Sequence, residues 1–165
     1  MTRINFDQLE SLRKKHRNKK IVLCGGCFDL THAGHVLFFE DCKKRGDILV
    51  VMVASDDIIK RDKSAGRPII NEHMRLKMID SLKPVDYVFL DFIPPQSPHP
   101  LFIIDMVAGK LKPDFYVVNK DAWDMPYRKD FCKRHGVNLK ILDRTAPPEY
   151  EEISTTKIIK KIKSI

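Results

Sequence analysis

Ile21-Val22-Leu23-Cys24-Gly25-Gly26-Cys27-Phe28-Asp29-Leu30-Thr31-His32-Ala33-Gly34-His35 is the stretch that decides the fold of this chain. A short apolar run ends in two glycines, which let the backbone come close to a ligand. A turn follows, and a helical pattern begins near Thr31 and His32. His32 and His35 are three residues apart and so share one helix face. They fall in the first turn, where free N–H groups and the positive end of the helix dipole favour phosphate. Two imidazoles there can donate hydrogen bonds to phosphoryl oxygens. The plainer alternative is a pair of capping histidines. The glycines, Asp29 and the strand–turn–helix context weigh against it.

Apolar runs and helical patterns alternate outward from this segment. Residues 48–54, 85–92, 115–118 and 137–142 are further strand-like runs, rich in β-branched residues. Helical stretches lie between them, over about 33–45, 71–83, 100–111 and 125–135. Strands apolar on both faces predict a parallel sheet covered by helices. Their alternation with helices predicts an α/β, doubly wound sheet of about five strands. Ligand sites then belong at the strand C-termini. A basic N-terminal helix is expected over Asn5–Lys20, within residues 1–20. An α/β core spans 21–150 and a C-terminal helix 153–165, all in one domain of 165 residues.

Lys and Arg number 30 against 22 Asp and Glu, giving a net charge of +8, and 43% of residues are hydrophobic. That composition fits a globular protein. No apolar run approaches the ~18 residues of a membrane span, and no signal-peptide core follows Met1. A cytoplasmic location is expected. Cys24 and Cys27 form a C-x-x-C pair, which is compatible with redox chemistry or half a zinc site. Cys42 and Cys132 stand apart, so reduced, incidental thiols and no protein-held metal are expected. A P-loop motif and a G-x-G-x-x-G after a strand are both lacking.

The other end of the chain carries a second anion-binding pattern. Ser154 is a good N-cap residue, and Ile158, Ile159, Ile162 and Ile165 follow at helical spacing. Hydroxyls at Ser154, Thr155 and Thr156 then crowd a helix start; simple capping is the alternative. Between the two motifs lie cations. Lys63, with Lys60 as a fallback, precedes Arg67-Pro68, and Arg75 could hold phosphate bidentately. Solvated charges on a loop and helix would look the same. Asp29 can organise its own turn, and the Pro-rich loop 93–100 can line a pocket or merely connect.

Gly26-Cys27-Phe28-Asp29…His32-Ala33-Gly34-His35, together with Ile153-Ser154-Thr155-Thr156-Lys157-Ile158-Ile159, resembles the cytidylyltransferase-like nucleotidyltransferases, which share an H-x-G-H motif. The similarity runs over about residues 19–163. It implies a Rossmann-like domain, a homodimer, and transfer of CMP or AMP from CTP or ATP to a small phosphorylated acceptor such as a sugar or polyol phosphate. His32, His35 and Lys63 are then the catalytic candidates. Gly26, Cys27, Phe28, Asp29, Gly34, Arg75, Asp121, Arg144, Ser154, Thr155 and Thr156 would bind the nucleotide. Mg2+ would be held mainly by the triphosphate. Arg144-Thr145 before the Ser-Thr-Thr run is similar to glycerol-3-phosphate cytidylyltransferases. The His32–Val36 and Ser154–Ile162 segments look like heptose-1-phosphate adenylyltransferases. After the fourth strand both carry a glycine-rich segment, whereas this chain has Asn119-Lys120-Asp121-Ala122-Trp123-Asp124. Flavin- or coenzyme-forming adenylyltransferases belong to the same superfamily. Six of the eight residues Arg13–Lys20 are basic, which also suits a nucleic-acid binder. A solvated helix face accounts for them better, because no aromatics are interleaved. A non-catalytic nucleotide binder is the remaining alternative, disfavoured by the retained histidines.

Overall fold

The computed structural model describes residues 2–63, 65–95, 97–143, 147–150 and 153–165. The chain runs through β1 (Thr2–Arg3), a 3-10 turn (Phe6–Gln8), α1 (Leu9–Lys15), β2 (Ile21–Gly26), α2 (Ala33–Lys43), β3 (Ile48–Val53) and α3 (Asp56–Asp62). It continues through α4 (Glu72–Asp80), β4 (Tyr87–Leu90), α5 (Phe102–Leu111), β5 (Phe115–Asn119), α6 (Met125–His135), β6 (Asn138–Leu142) and α7 (Thr155–Lys163). All six strands pair in parallel in the order β1-β4-β3-β2-β5-β6. Five of them answer the apolar runs; two-residue β1 extends the edge beside β4.

Strand pleating sorts the side chains onto two faces. Ile21 and Leu23 join Val50, Met52, Phe89, Tyr116 and Val118 in the layer covered by α1, α5 and α6. Val22 and Cys24 join Leu49, Val51, Val88 and Val117 under Phe39 of α2 and Ile79 of α4. Each fully buried aliphatic side chain contributes about 1.5–3 kcal/mol, so both helical layers are held on by the same strands. The C-x-x-C pair is split by this packing: Cys24 is buried near Cys42, while Cys27 lies beyond the strand, half-buried.

Two local expectations are corrected. The N-terminal helix does not reach Lys20. It stops at Lys15, and the Arg13 guanidinium donates to the carbonyls of His16, Arg17 and Lys19 at 2.8, 3.0 and 3.0 Å. Those carbonyls are thereby satisfied without further helix. Residues 56–62, which show no apolar period, form α3, whose Ile59 is buried. Among the described residues no helix is long and apolar enough to cross a membrane.

β2 lies between β3 and β5, so the chain winds outward from it in both directions. Ligands of such sheets lie at this reversal, beyond the strand C-termini.

Candidate active site

A cavity of about 510 Å³ opens there. Its rim begins where β2 ends. A Cβ on Gly26 would come within 3.0 Å of the Phe28 ring, so only glycine fits beneath the following turn. Phe28 and Leu30 take positive φ values of 50° and 51° in that turn. Phe28 turns inward, with its ring 4.9 Å from Phe39 and edge-on to His35 at 5.4 Å.

His32 is the N-cap of α2, and its ring stacks on His35 at 4.0 Å. The His32 backbone N–H donates to His35 Nδ1 at 3.4 Å. A ring accepting at Nδ1 keeps its proton on Nε2, where it can be given to an anion. Gly34 leaves room for the His32 ring here, because a Cβ would lie 3.1 Å from its atoms and push it by a few tenths of an ångström. The second helix start meets the first. Ser154 caps α7 by accepting from the Lys157 N–H at 3.2 Å. The Thr155 hydroxyl donates to the Asp29 carbonyl at 2.7 Å. His32, His35, Gly34, Ser154, Thr155 and Thr156 thus line one cavity, with Gly26, Cys27, Phe28 and Asp121. Lys63, which caps the C-terminus of α3, lines it as well. Lys60 does not; it lies 3.8 Å from Asp57 on the outer side of α3.

Two of the expected nucleotide-binding residues, Asp29 and Arg75, are engaged by protein groups. The Asp29 carboxylate accepts from Arg67 Nε at 2.7 Å and from the N–H groups of Ile69 and Ile70 at 2.9 and 3.0 Å. Burial pushes its pKa up, but those two N–H groups and the guanidinium prevail and hold it below the usual carboxylate range. Its oxygens are occupied by protein, so the carboxylate is a fixed anchor for residues 67–70. Arg75, 1% exposed, lies beneath the site. It donates to Cys27 O at 2.6 Å, Ile70 O at 2.8 Å and Asp56 Oδ1 at 2.8 Å. It therefore braces the turn below the histidines and does not line the cavity. Arg144 lies outside the described residues.

The Cys27 thiol is pushed up by burial, against the pull of Lys63. It stays protonated at neutral pH and offers no nucleophile. Among the described residues no group of three His, Cys, Asp or Glu side chains could hold a metal ion.

Several lining residues escaped the sequence reading. Asp91, just past β4, is buried and accepts from the Ser55 N–H at 2.7 Å. Burial raises its pKa to about 7, against that hydrogen bond and Arg75. Its position at a strand C-terminus is the signal that could have found it. On the α5–α6 side the wall is formed by Met52, Leu101, Ile103, Ile104 and Tyr116, with Arg128 among them. Nothing in the sequence singles out Arg128 from the three other Lys and Arg side chains of α6.

The cytidylyltransferase-like family profile matches residues 23–161. The bifunctional protein HldE of Desulfatibacillum aliphaticivorans is 34% identical over 157 residues, covering 94% of this chain and 29% of that protein. The FAD synthase of Archaeoglobus profundus is 35% identical over 142 residues, covering 86% of this chain and 84% of its own length. This chain therefore spans less than a third of the HldE relative but most of the FAD synthase. Among solved structures, a lipopolysaccharide core biosynthesis protein from Thermoplasma volcanium GSS1 superposes with a TM-score of 0.62 at 28% identity. That match covers 78% of this chain and 98% of the other. The pantoate-beta-alanine ligase of Francisella tularensis shares the fold, with a TM-score of 0.64 at 16% identity, covering 100% of this chain and 78% of the other. With the two helix starts and the paired histidines converging on one cavity, these matches lead to one conclusion: the chain belongs to the cytidylyltransferase-like family.

Proposed function

We propose that the protein is a nucleotidyltransferase that moves a nucleotidyl group, with ATP favoured as donor over CTP, onto a small phosphate monoester. The observation that carries this reading is the meeting of the α2 and α7 N-termini, tied by the Thr155–Asp29 hydrogen bond of 2.7 Å. Two helix starts with imidazole and hydroxyl donors suit a triphosphate. The FAD synthase relative is named for a product that contains an adenylyl group, which supports ATP.

An acceptor phosphate oxygen attacks the α-phosphorus, the bond from that phosphorus to the β-bridging oxygen breaks, and pyrophosphate leaves. The acceptor's second pKa is ~6, so no general base is needed. Catalysis then rests on position and charge. His32 and His35 donate to the α-phosphate oxygens as charge builds there. The α7 start at Ser154, Thr155 and Thr156 holds the β- and γ-phosphates, Thr155 through its backbone N–H because its hydroxyl is spent on the Asp29 carbonyl, and Lys63 closes over them. Gly26, Cys27 and Phe28 shape the floor, and Asp121 faces the nucleoside. Asp29 and Arg75 position the turn and touch no substrate. Among the described residues no three carboxylate, thiol or imidazole side chains gather to hold a metal ion, which fits a nucleotide that would carry its own Mg2+ and with it the neutralisation of triphosphate charge. A cytoplasmic homodimer is part of the same reading and rests on the family resemblance alone.

Pyrophosphate release, with ATP or CTP and a panel of phosphate monoesters, tests the reaction. His35→Ala should lower kcat by about 10²–10³, the scale of removing one preorganised donor. A folded variant that loses less than tenfold removes His35 from the mechanism.

A further inference from the structure

Arg128 sits on the α5–α6 wall of the cavity with 8% of its surface exposed. Its Nε donates to the Trp123 carbonyl at 2.9 Å, and its Nη1 donates to the Tyr116 hydroxyl. Both partners are neutral. Burial pushes the Tyr116 phenol up to about 12, so it carries no charge at neutral pH. Among the described residues Arg128 forms no ion pair. Two acids on α5 and at the start of α6 are engaged by other groups. Asp105 takes Arg134, Tyr127 and His135. Asp124 pairs with His99 at 2.9 Å and caps α6.

A buried cation without a counter-charge is costly. Two of the five guanidinium N–H groups are used, which leaves a fork suited to an oxyanion. Around it lie Met52, Leu101, Ile103 and Ile104, an apolar lining on the side of the sheet away from α2. The triphosphate donors already described stand at the other end of the cavity. The reaction needs a second, anionic substrate in the same cavity, and the apolar wall of Met52, Leu101, Ile103 and Ile104 beside Arg128 is the part of the lining to which no group of the nucleotide has been assigned.

We propose that Arg128 is the specificity-determining residue for the acceptor: its guanidinium grips an oxyanion of a substrate whose organic body packs on the apolar wall between α5 and β5. This rests on the transfer reading above and narrows it to acceptors with an apolar or planar body rather than a bare polyol.

Trp123 is the only tryptophan, lines the cavity and is bonded through its carbonyl to Arg128. Its fluorescence therefore reports on that part of the lining. Phenyl phosphate, an oxyanion on an apolar body, should change that fluorescence saturably in the millimolar range, and phenol should not. Arg128→Gln should weaken phenyl phosphate by about tenfold or more, with Arg128→Lys intermediate. ATP binding, followed by thermal shift, should stay within about twofold in both variants. The proposal is overturned if phenol binds as well as phenyl phosphate or if the wild-type chain gives no saturable response. It is equally overturned if Arg128→Gln binds phenyl phosphate unchanged or loses ATP to the same extent. Should Arg128→Gln not fold, the comparison of the two probes on the wild-type chain decides. Failure of the wild-type chain to bind ATP would sink the transfer reading, while the phenyl phosphate comparison would still judge Arg128.

Discussion

Asp29 and Asp91 are both buried beside the cavity, yet their surroundings drive their titration in opposite directions. Asp29 is held below its ordinary value by N–H groups and Arg67. Its stabilisation is therefore complete above the unfolded pKa of about 4 and drains away as pH falls through the lower folded value. Asp29→Ala strands the Arg67 guanidinium and two backbone donors, and should cost about 3–5 kcal/mol. Urea unfolding at pH 7 reads this directly, and a loss under about 1 kcal/mol would refute the anchor role. Asp91 has the reverse sign. Its folded pKa of about 7 lies above the ordinary 3.8, so the folded state binds the extra proton and stability falls as pH rises from about 4 to 7. Asp91→Asn keeps an acceptor for the Ser55 N–H and removes the cost of ionisation. It should raise Tm at pH 8 by several degrees and leave Tm at pH 4 nearly unchanged. Equal Tm curves for variant and wild type across that range would contradict the assignment.

Elements were legible in proportion to how much apolar surface they bury. Ile48–Val53 reads as a strand because it is apolar on both faces, and the packing of Leu49, Val51 and Val53 against α2 and α4 is the reason. Asp56–Asp62 does not read as a helix, because only Ile58 and Ile59 in it are apolar. The α2 start was legible down to its atoms of interest: two histidines on one face, with a glycine between. The burial of Arg75 is not legible in the sequence, because a buried brace and a phosphate ligand look alike there; its bonds to the carbonyls of Cys27 and Ile70 appear only in the fold. Gly34→Ala probes the α2 start. Alanine is the better helix former by about 1 kcal/mol, so the fold should tolerate it. Its Cβ would press on the His32 ring, which must shift by a few tenths of an ångström. The expected outcome is kcat down by about tenfold or more with Tm unchanged or raised. A variant with full activity would show that the ring position is not critical.

At the scale of the whole molecule, the site is closed by its two distant motifs. Residue 29 and residue 155 are far apart in the chain, and one hydrogen bond joins them. No residue of α7 is buried, and that contact and partly covered Ile158 and Ile159 are among its points of attachment. An element with so little buried surface opens at low free energy. Nucleotide that spans the α2 and α7 starts would bind the docked state and hold it, by mass action. Thr155→Val removes the hydroxyl and keeps the shape. It should weaken docking by about 1 kcal/mol, about a fivefold rise in the undocked population. Amide exchange over 155–163 should quicken while β2, β3 and β5 keep their protection. Adding ATP should slow exchange over 155–163 in the wild-type chain and do so less in the variant. If ATP instead protects α2 alone and leaves α7 unchanged, the second helix start does not hold the triphosphate, and the hydroxyls of Ser154–Thr156 act only as caps.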